Sequence, residues 1–272
     1  MRVESKAAIP EVLADYRILG LLGEGNNGRF YLAEPPARLG LSTDRVALKV
    51  FTEYVSKDAY RRGVRELRAF AAVRSPRLVQ IYDAVLQDSF FYAMEYCPLG
   101  SLAEPARPLS RAEILAALED AARAVHELHE HGMVHGDVKP ENVLVVENGG
   151  KLSDLGLVRV LNSGASVTSF APAASVEFID PDLLQGDMPS RETDVWALGA
   201  TINQALTGDG LYGDLPVGQP MLAIRAVVSG RAKVSPKLSQ AEADLVRACV
   251  APKGSRLATA EQVADRIARL PA

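Results

Sequence analysis

The sequence contains only two cysteines, Cys97 and Cys249, and they lie far apart in apolar stretches. Two separated thiols give little support to a disulfide framework or to a thiolate metal site. We therefore expect both cysteines to be reduced and the protein to be cytoplasmic.

Long apolar runs and an excess of basic residues are also missing. No run approaches the roughly 18 apolar residues of a membrane span, and acidic residues interrupt the N-terminal stretch. We expect no membrane segment in this chain. Lysine and arginine together number 30 against 34 acidic residues, for a net charge of −4. Nucleic acid is therefore not an expected partner.

The first third of the chain has the pattern of a small antiparallel sheet with one helix. Alternating apolar residues flank a glycine cluster over residues 16–34, and "RVALKVF" predicts a third strand. A helical apolar face follows over residues 57–73. The segments "LVQIYDAVL" and "FFYAMEYC" then predict a β-hairpin.

The rest of the chain is mostly helical. Ser110 and Glu113 form a capping-box pattern before a long apolar helix face, and further helical segments follow residue 191. Between them lie two short predicted strands, "NVLVV" and "KLSDLG". We predict an α+β protein with two lobes, joined near residues 95–100.

Short motifs with chemically active side chains occur at the predicted strand ends. "GEGNNG" places Gly23, Gly25 and Gly28 between two strands, a pattern that fits an ordinary hairpin as well as a phosphate-binding loop. The octet "HGDVKPEN" combines a histidine, two acids, a lysine and an asparagine directly before a buried strand. A solvated turn gives no reason for that combination.

In this order, the motifs resemble the catalytic domain of eukaryotic-type Ser/Thr protein kinases, of the sort also found in bacteria, with His-Gly-Asp in place of the usual His-Arg-Asp. The resemblance runs from about Tyr16 to Leu270. It implies a single two-lobed kinase domain over residues 1–272. An extension covers residues 1–15, a small antiparallel-sheet N-lobe with one helix covers residues 16–96, and a larger, mostly helical C-lobe covers residues 97–272.

The same resemblance implies a role for each motif residue. The catalytic group would be Asp137, Lys139, Lys49 and Glu66, with Glu66 orienting Lys49 and Glu53 ranked second for that task. The residues implied to bind ATP, in the cleft between the lobes, are Gly23, Gly25, Gly28, Phe30, Ala47, Lys49, Met94, Glu95, Cys97 and Leu144. Asn142 and Asp154, the latter in "DLG", would hold Mg²⁺, or Mn²⁺ in its place.

The segment "ASVEFIDPD" stands where the family has Gly-Thr-Pro-Glu-Tyr-x-Ala-Pro-Glu. The resemblance implies that Ser175 contacts the catalytic Asp and Lys, and that Asp182 pairs with Arg256. Asp194 would either brace the catalytic loop or cap its own helix. We expect His126, His129 and His131 to lie on a helix surface and at its C-terminal end, and not to form a zinc site.

Gly136 replaces the arginine with which regulated protein kinases bind a phosphate on the activation loop. That loop still carries four hydroxyl residues, Ser163, Ser166, Thr168 and Ser169. We hypothesise that activity does not depend on their phosphorylation, because the usual positive charge is absent.

Three functions are compatible with these residues. The first is an ATP-dependent kinase that phosphorylates Ser and Thr of proteins, itself included. The second is a small-molecule phosphotransferase of the aminoglycoside or choline kinase type, in which "HGD" also occurs. The third is a kinase-fold scaffold that binds nucleotide without transfer. The pattern of Lys139 two residues after Asp137, together with "DVWALG", favours the protein kinase.

Overall fold

The computed structural model describes residues 10–25, 28–51, 56–87, 89–154, 173–216 and 218–271. Within those ranges the chain forms eight strands and seven α-helices. The strands come mainly from the first third and the helices mainly from the remainder. The predicted α+β class is thereby confirmed.

Six strands form one sheet in which all neighbours are antiparallel. They are β1 (Val12–Leu13), β2 (Tyr16–Gly25), β3 (Gly28–Glu34), β4 (Val46–Val50), β5 (Ile81–Leu86) and β6 (Phe90–Glu95), in the spatial order β1-β2-β3-β4-β6-β5. The sequence predicts all of these except β1, which lies in the stretch assigned to the N-terminal extension. β1 is only two residues long and pairs with the start of β2.

The two faces of this sheet have different roles. On one face Tyr16, Tyr31, Leu48 and Phe91 are buried in a single apolar cluster. Side chains alternate between faces along a strand, and residues directly opposite in an antiparallel pair share a face. The other face therefore carries Lys49 and its neighbours, which are described below.

Six of the seven described α-helices lie where the apolar periodicity predicts them, and the exception, Pro181–Leu184, is too short to show that periodicity. They are α1 (Lys57–Ala72), α2 (Arg111–Glu130), α3 (Pro181–Leu184), α4 (Arg191–Thr207), α5 (Pro220–Ser229), α6 (Gln240–Cys249) and α7 (Ala260–Ile267). The predicted capping box of Ser110 and Glu113 begins α2. The short strands β7 (Val143–Val146) and β8 (Gly149–Leu152) form a separate antiparallel pair.

The contacts divide the chain into two compact units. The first comprises the described residues of Met1–Arg65 and Gln80–Tyr96, and the second those of Glu66–Val79 and Cys97–Ala272. Both cysteines are buried free thiols. Among the described helices, none is both long and apolar enough to cross a membrane.

Candidate active site

The loop that carries Asp137 is fixed to the second unit by the carboxylate of Asp194. One oxygen of Asp194 accepts a hydrogen bond from the backbone N–H of His135, and the other accepts one from the N–H of Gly136, both at 2.8 Å. Asp194 is 1% exposed and lies in the first turn of α4, whose cap is Ser190. Of the two predicted roles for Asp194, the structure thus shows the first, in which its carboxylate braces the loop that carries Asp137.

His129 also binds this carboxylate. Its Nε2 lies 2.8 Å from Asp194 Oδ2, and the ring is 1% exposed. The prediction that His129 lies on the helix surface is wrong, because α2 directs this residue into the core four positions after the buried Val125. His131 does stand at the C-terminal cap of α2, as predicted.

Asp137 is contacted by both of the polar residues that follow it in the motif. Lys139 Nζ lies 3.0 and 2.9 Å from the two carboxylate oxygens of Asp137. The amide nitrogen of Asn142 donates to the backbone oxygen of Asp137 at 2.7 Å and lies 2.9 Å from its Oδ2. Asp137 itself is partly exposed, so a carboxylate held in one orientation is accessible to a substrate.

The ammonium group of Lys139 is stabilised by the carboxylates near it. Burial disfavours the ammonium form of Lys139, but the carboxylates of Asp137 and Asp154 outweigh that cost and raise the pKa of Lys139. Lys139 therefore remains a cation beside Asp137 at neutral pH.

His135 is a neutral structural link between this loop and β8. Burial lowers the pKa of its imidazole. Its Nε2 lies 3.1 Å from the backbone oxygen of Ser153, and its Nδ1 lies 3.3 Å from the N–H of Asp137. Both contacts are hydrogen bonds when Nε2 carries the proton and Nδ1 accepts. This tautomer ties the end of β8 to the backbone of Asp137.

Asn142 and Asp154 have the donor atoms that a hard divalent cation requires. The Asn142 side chain uses its amide nitrogen for Asp137, so the amide oxygen is the atom left to face a metal ion. Asp154 follows β8 and has a positive φ of 64°, which is uncommon for a residue with a side chain. A carboxylate and an amide oxygen fit an oxygen-coordinated divalent metal.

The backbone conformation at position 136 favours glycine over the arginine that the family usually has there. The φ of Gly136 is 74°, in the left-handed region that glycine adopts without steric cost. This conformation presents the N–H of Gly136 to Asp194.

In the first unit, several of the residues predicted to bind nucleotide lie on the face of the sheet opposite the apolar cluster. Phe30 pairs with Lys49, and Ala47 pairs with Met94. Lys49, Ala47 and Met94 are buried. These four side chains therefore line one surface next to the glycine-rich strands.

The three glycines of "GEGNNG" differ in whether their surroundings would admit a side chain. A Cβ at Gly28 would lie 2.2 Å from the Val50 carbonyl oxygen, so close packing of β3 on β4 demands glycine there. A Cβ at Gly23 would meet no atom within 4 Å. Nothing in the described protein thus requires glycine at position 23, and the open space fits a ligand that approaches the backbone. Gly25 ends β2 and pairs with Gly28.

The remaining predicted site residues occupy several elements. Glu95 ends β6, Leu144 lies on β7 and Glu66 lies on α1, while Cys97 is buried just after β6. Glu66 and Lys49 belong to different units, and their pairing stays a prediction. Glu53 and the four loop hydroxyl residues lie outside the described part of the chain.

Arg256 has a different principal partner from the predicted one. Its guanidinium bonds to the carboxylate of Asp180, and both side chains are almost fully buried. The predicted ion pair of Arg256 with Asp182 is also present, but it is longer, at 3.7 Å, and Asp182 is 36% exposed. Asp180 also caps α3 by accepting from the N–H of Asp182. The family has alanine at the position of Asp180, so the alignment of motifs pointed to Asp182 instead.

Ser175 lies in a 3₁₀ turn, Ala173–Phe178, and is 8% exposed. Its contact with the catalytic Asp and Lys stays a prediction.

Two residues missed as site components, His129 and Asp180, each carry a sequence signal. His129 follows the apolar face of its helix, and Asp180 precedes a proline at a helix start.

Comparisons with known proteins agree with this geometry. The protein kinase domain family matches residues 16–266. Serine/threonine-protein kinase PrkC of Bacillus subtilis is 31% identical over 201 residues, which are 71% of this chain and 30% of that protein. Serine/threonine-protein kinase PknB of Mycolicibacterium smegmatis is 31% identical over 223 residues, 76% of this chain and 35% of that protein.

DNA damage-responsive serine/threonine-protein kinase RqkA of Deinococcus radiodurans is also 31% identical, over 204 residues that are 71% of this chain and 30% of that protein. The chain thus matches about a third of the length of these relatives. Protein kinases use ATP and divalent metal ions. Since the family match covers almost the whole chain and the catalytic loop has the geometry described above, the chain belongs to the protein kinase domain family, among relatives that are bacterial Ser/Thr kinases.

Proposed function

We propose that residues 1–272 act as one ATP-dependent protein kinase domain, which transfers the γ-phosphoryl group to Ser and Thr hydroxyls of proteins, including its own. The observation that carries the proposal is the arrangement of Asp137, Lys139 and Asn142 on a loop that Asp194 holds by two backbone hydrogen bonds. The contacts of Lys139 and Asn142 with Asp137 keep the three residues together on this loop.

Asp137 orients the attacking hydroxyl and accepts its proton. The hydroxyl oxygen forms a bond to the γ-phosphorus as the bond to the β-γ bridging oxygen breaks, and ADP leaves. Because Lys139 and Asn142 hold the carboxylate of Asp137, its orientation is set before substrate binds. General-base action of this kind contributes about 10²- to 10⁴-fold in rate.

Lysines and the metal ligands neutralise the phosphate charge. Lys139 stays cationic beside the reacting group, and Lys49 contacts the α- and β-phosphates, oriented by Glu66. Asn142 and Asp154 hold Mg²⁺, with Mn²⁺ as an alternative that the same oxygen donors accept. A bound metal ion would supply positive charge that offsets the negative charge of the phosphate oxygens.

The sheet face and the glycine-rich strands bind the nucleotide. Phe30, Ala47 and Leu144 contact the adenine, and Met94 lies behind it. The backbone of Glu95 and Cys97 binds the edge of the base. The backbone N–H groups around Gly23, Gly25 and Gly28 bind the phosphates, which the open space at Gly23 favours.

The family match favours a protein substrate over a small molecule, and the complete catalytic set favours transfer over a scaffold that only binds nucleotide. We further propose that this domain works in the cytoplasm, because its two cysteines are separate free thiols. We propose no nucleic-acid partner, because the net charge is −4.

Transfer of labelled γ-phosphate from ATP and Mg²⁺ tests the proposal. Wild-type protein is incubated with a generic acceptor protein and, separately, with aminoglycosides and choline. We expect label on phosphoserine and phosphothreonine, and no label in the Asp154→Asn variant. Label on the small molecules alone would contradict the proposal, as would nucleotide binding without any transfer.

A further inference from the structure

Two aromatic rings surround the ammonium group of Lys49. Its Nζ lies 5.3 Å from the centroid of the Phe30 ring and 5.4 Å from that of the Phe51 ring. Both distances lie within the range of a cation–π interaction. The side chain of Lys49 is only 5% exposed, so water does little to solvate this charge and the attraction of the rings is correspondingly strong.

The strand register explains why both rings reach the same ammonium. Phe30 is directly opposite Lys49 in the antiparallel pair of β3 and β4, so the two side chains share a face. Phe51 comes two residues after Lys49, just beyond the end of β4, and its N–H donates to the Phe90 carbonyl at 2.9 Å. That hydrogen bond continues the strand pairing and keeps Phe51 on the face of Lys49.

The Phe51 ring is itself held in place by other aromatic residues. It stacks on Phe90 with centroids 5.0 Å apart and planes 7° apart. Tyr60, in the first turn of α1, packs edge-on against the Phe90 ring, with centroids 5.4 Å apart. The Tyr60 hydroxyl donates to the Ala84 carbonyl at 3.3 Å. The aromatic stack thus connects Tyr60, at the start of α1, to the ring beside Lys49, and all of these residues belong to the first unit.

We propose that Phe30 and Phe51 are positioning residues that form an aromatic clamp on Lys49 and hold its ammonium where the nucleotide phosphates bind. The proposal rests on the proposed function, because that function gives Lys49 its role. Phe51 acts only through Lys49, whereas Phe30 also contacts the base. Phe51 is therefore the residue whose replacement isolates the clamp.

The test compares the affinities of ADP and adenosine, measured by titration calorimetry on the whole chain. Phe51→Leu removes the ring and keeps an apolar side chain. We expect it to weaken ADP binding about 2- to 30-fold, the factor that corresponds to one cation–π contact, and to leave adenosine binding unchanged because adenosine has no phosphate. Phe51→Tyr retains an aromatic face and should restore the affinity for ADP.

Phe91→Leu is the matched control. Phe91 is also buried, lies on the strand next to β4 and packs against Tyr16 on the opposite face of the sheet. Its replacement removes the same atoms from the same sheet without touching the clamp. We expect Phe91→Leu to leave the ratio of ADP to adenosine affinity at the wild-type value. If Phe51→Leu does not fold, Phe51→Met serves in its place.

An unchanged ADP affinity in the Phe51 variant would overturn the clamp, and so would an equal loss for ADP and adenosine. A second readout does not involve nucleotide at all. In protein with ¹³C-labelled lysine, ring currents should shift the Lys49 side-chain signal upfield, and Phe51→Leu should reduce that shift. If wild-type protein bound no ADP, the proposed function would fail, while this signal would still support or refute the clamp.

Discussion

The buried ion pair of Arg256 with Asp180 allows a sharp test, because a second aspartate nearby provides the control. The change is Asp180→Asn, compared with Asp182→Asn. Asparagine caps a helix about as well as aspartate, so Asp180→Asn removes the charge and keeps the cap of α3. Any loss of stability then measures the ion pair.

The expected magnitudes follow from burial. Arg256 and Asp180 are 3% and 1% exposed. Removing one partner of a buried pair leaves the other charge uncompensated and costs about 3–5 kcal/mol. Arg256 keeps hydrogen bonds to the carbonyls of Ala251 and Glu192, so we expect the lower end, about 3 kcal/mol. Asp182 lies 3.7 Å away and is 36% exposed, so its replacement should cost no more than about 1 kcal/mol.

Equilibrium unfolding in urea and thermal unfolding measure both variants. At about 2–4 °C for each kcal/mol, Asp180→Asn should lower Tm by about 6–12 °C and Asp182→Asn by no more than about 4 °C. In an Arg256→Ala background the effect of Asp180→Asn should largely disappear. If Asp182→Asn proved as destabilising as Asp180→Asn, Asp182 would be the principal partner of Arg256 and our assignment would be refuted.

Three further predictions follow from the second unit and the activation loop. Asp194→Asn places an amide NH₂ against backbone donors, so kcat should fall about 100-fold with the Kd for ADP unchanged; equal kcat values would contradict the bracing role. Alanine at all four loop hydroxyl residues should leave kcat largely intact, and inactivity of that variant would show that another cation replaces the missing arginine. Burial, with the charge of Glu141, raises the pKa of Glu177 from 4.5 to about 7, against an opposing hydrogen bond from Gln204. The folded state then binds its proton more tightly than the unfolded state, so this group lowers stability as pH rises from about 4.5 to about 7. Glu177→Gln should therefore raise the urea midpoint relative to wild type at pH 8 but not at pH 4.5, and an equal change at both pH values would refute this assignment.

Most of the secondary structure could be predicted because apolar periodicity and caps are local signals. The hairpin of β5 and β6 and the helix α2 with its capping box lie where the pattern places them. β1 escaped prediction because two residues are too few to show alternation. Its existence depends on pairing with β2, which is a tertiary interaction.

The contacts among the residues of the octet could be predicted from the sequence, but the long-range contacts of Arg256 and Asp194 could not. The octet places Asp137, Lys139 and Asn142 within six residues, so their mutual contacts follow from local geometry. The partner of Arg256 depends on which of two aspartates, two residues apart, faces the core. The role of Asp194 depends on a loop that precedes it by almost sixty residues. Sequence spacing does not encode either choice.

The role of Asp137 is tested most directly by the Asp137→Asn variant in a single-turnover transfer assay, with ADP affinity measured on the same preparation. We expect transfer to Ser and Thr to fall about 10²- to 10⁴-fold while the Kd for ADP stays at the wild-type value. Transfer at the wild-type rate in Asp137→Asn would contradict the assignment of Asp137 as the residue that accepts the hydroxyl proton.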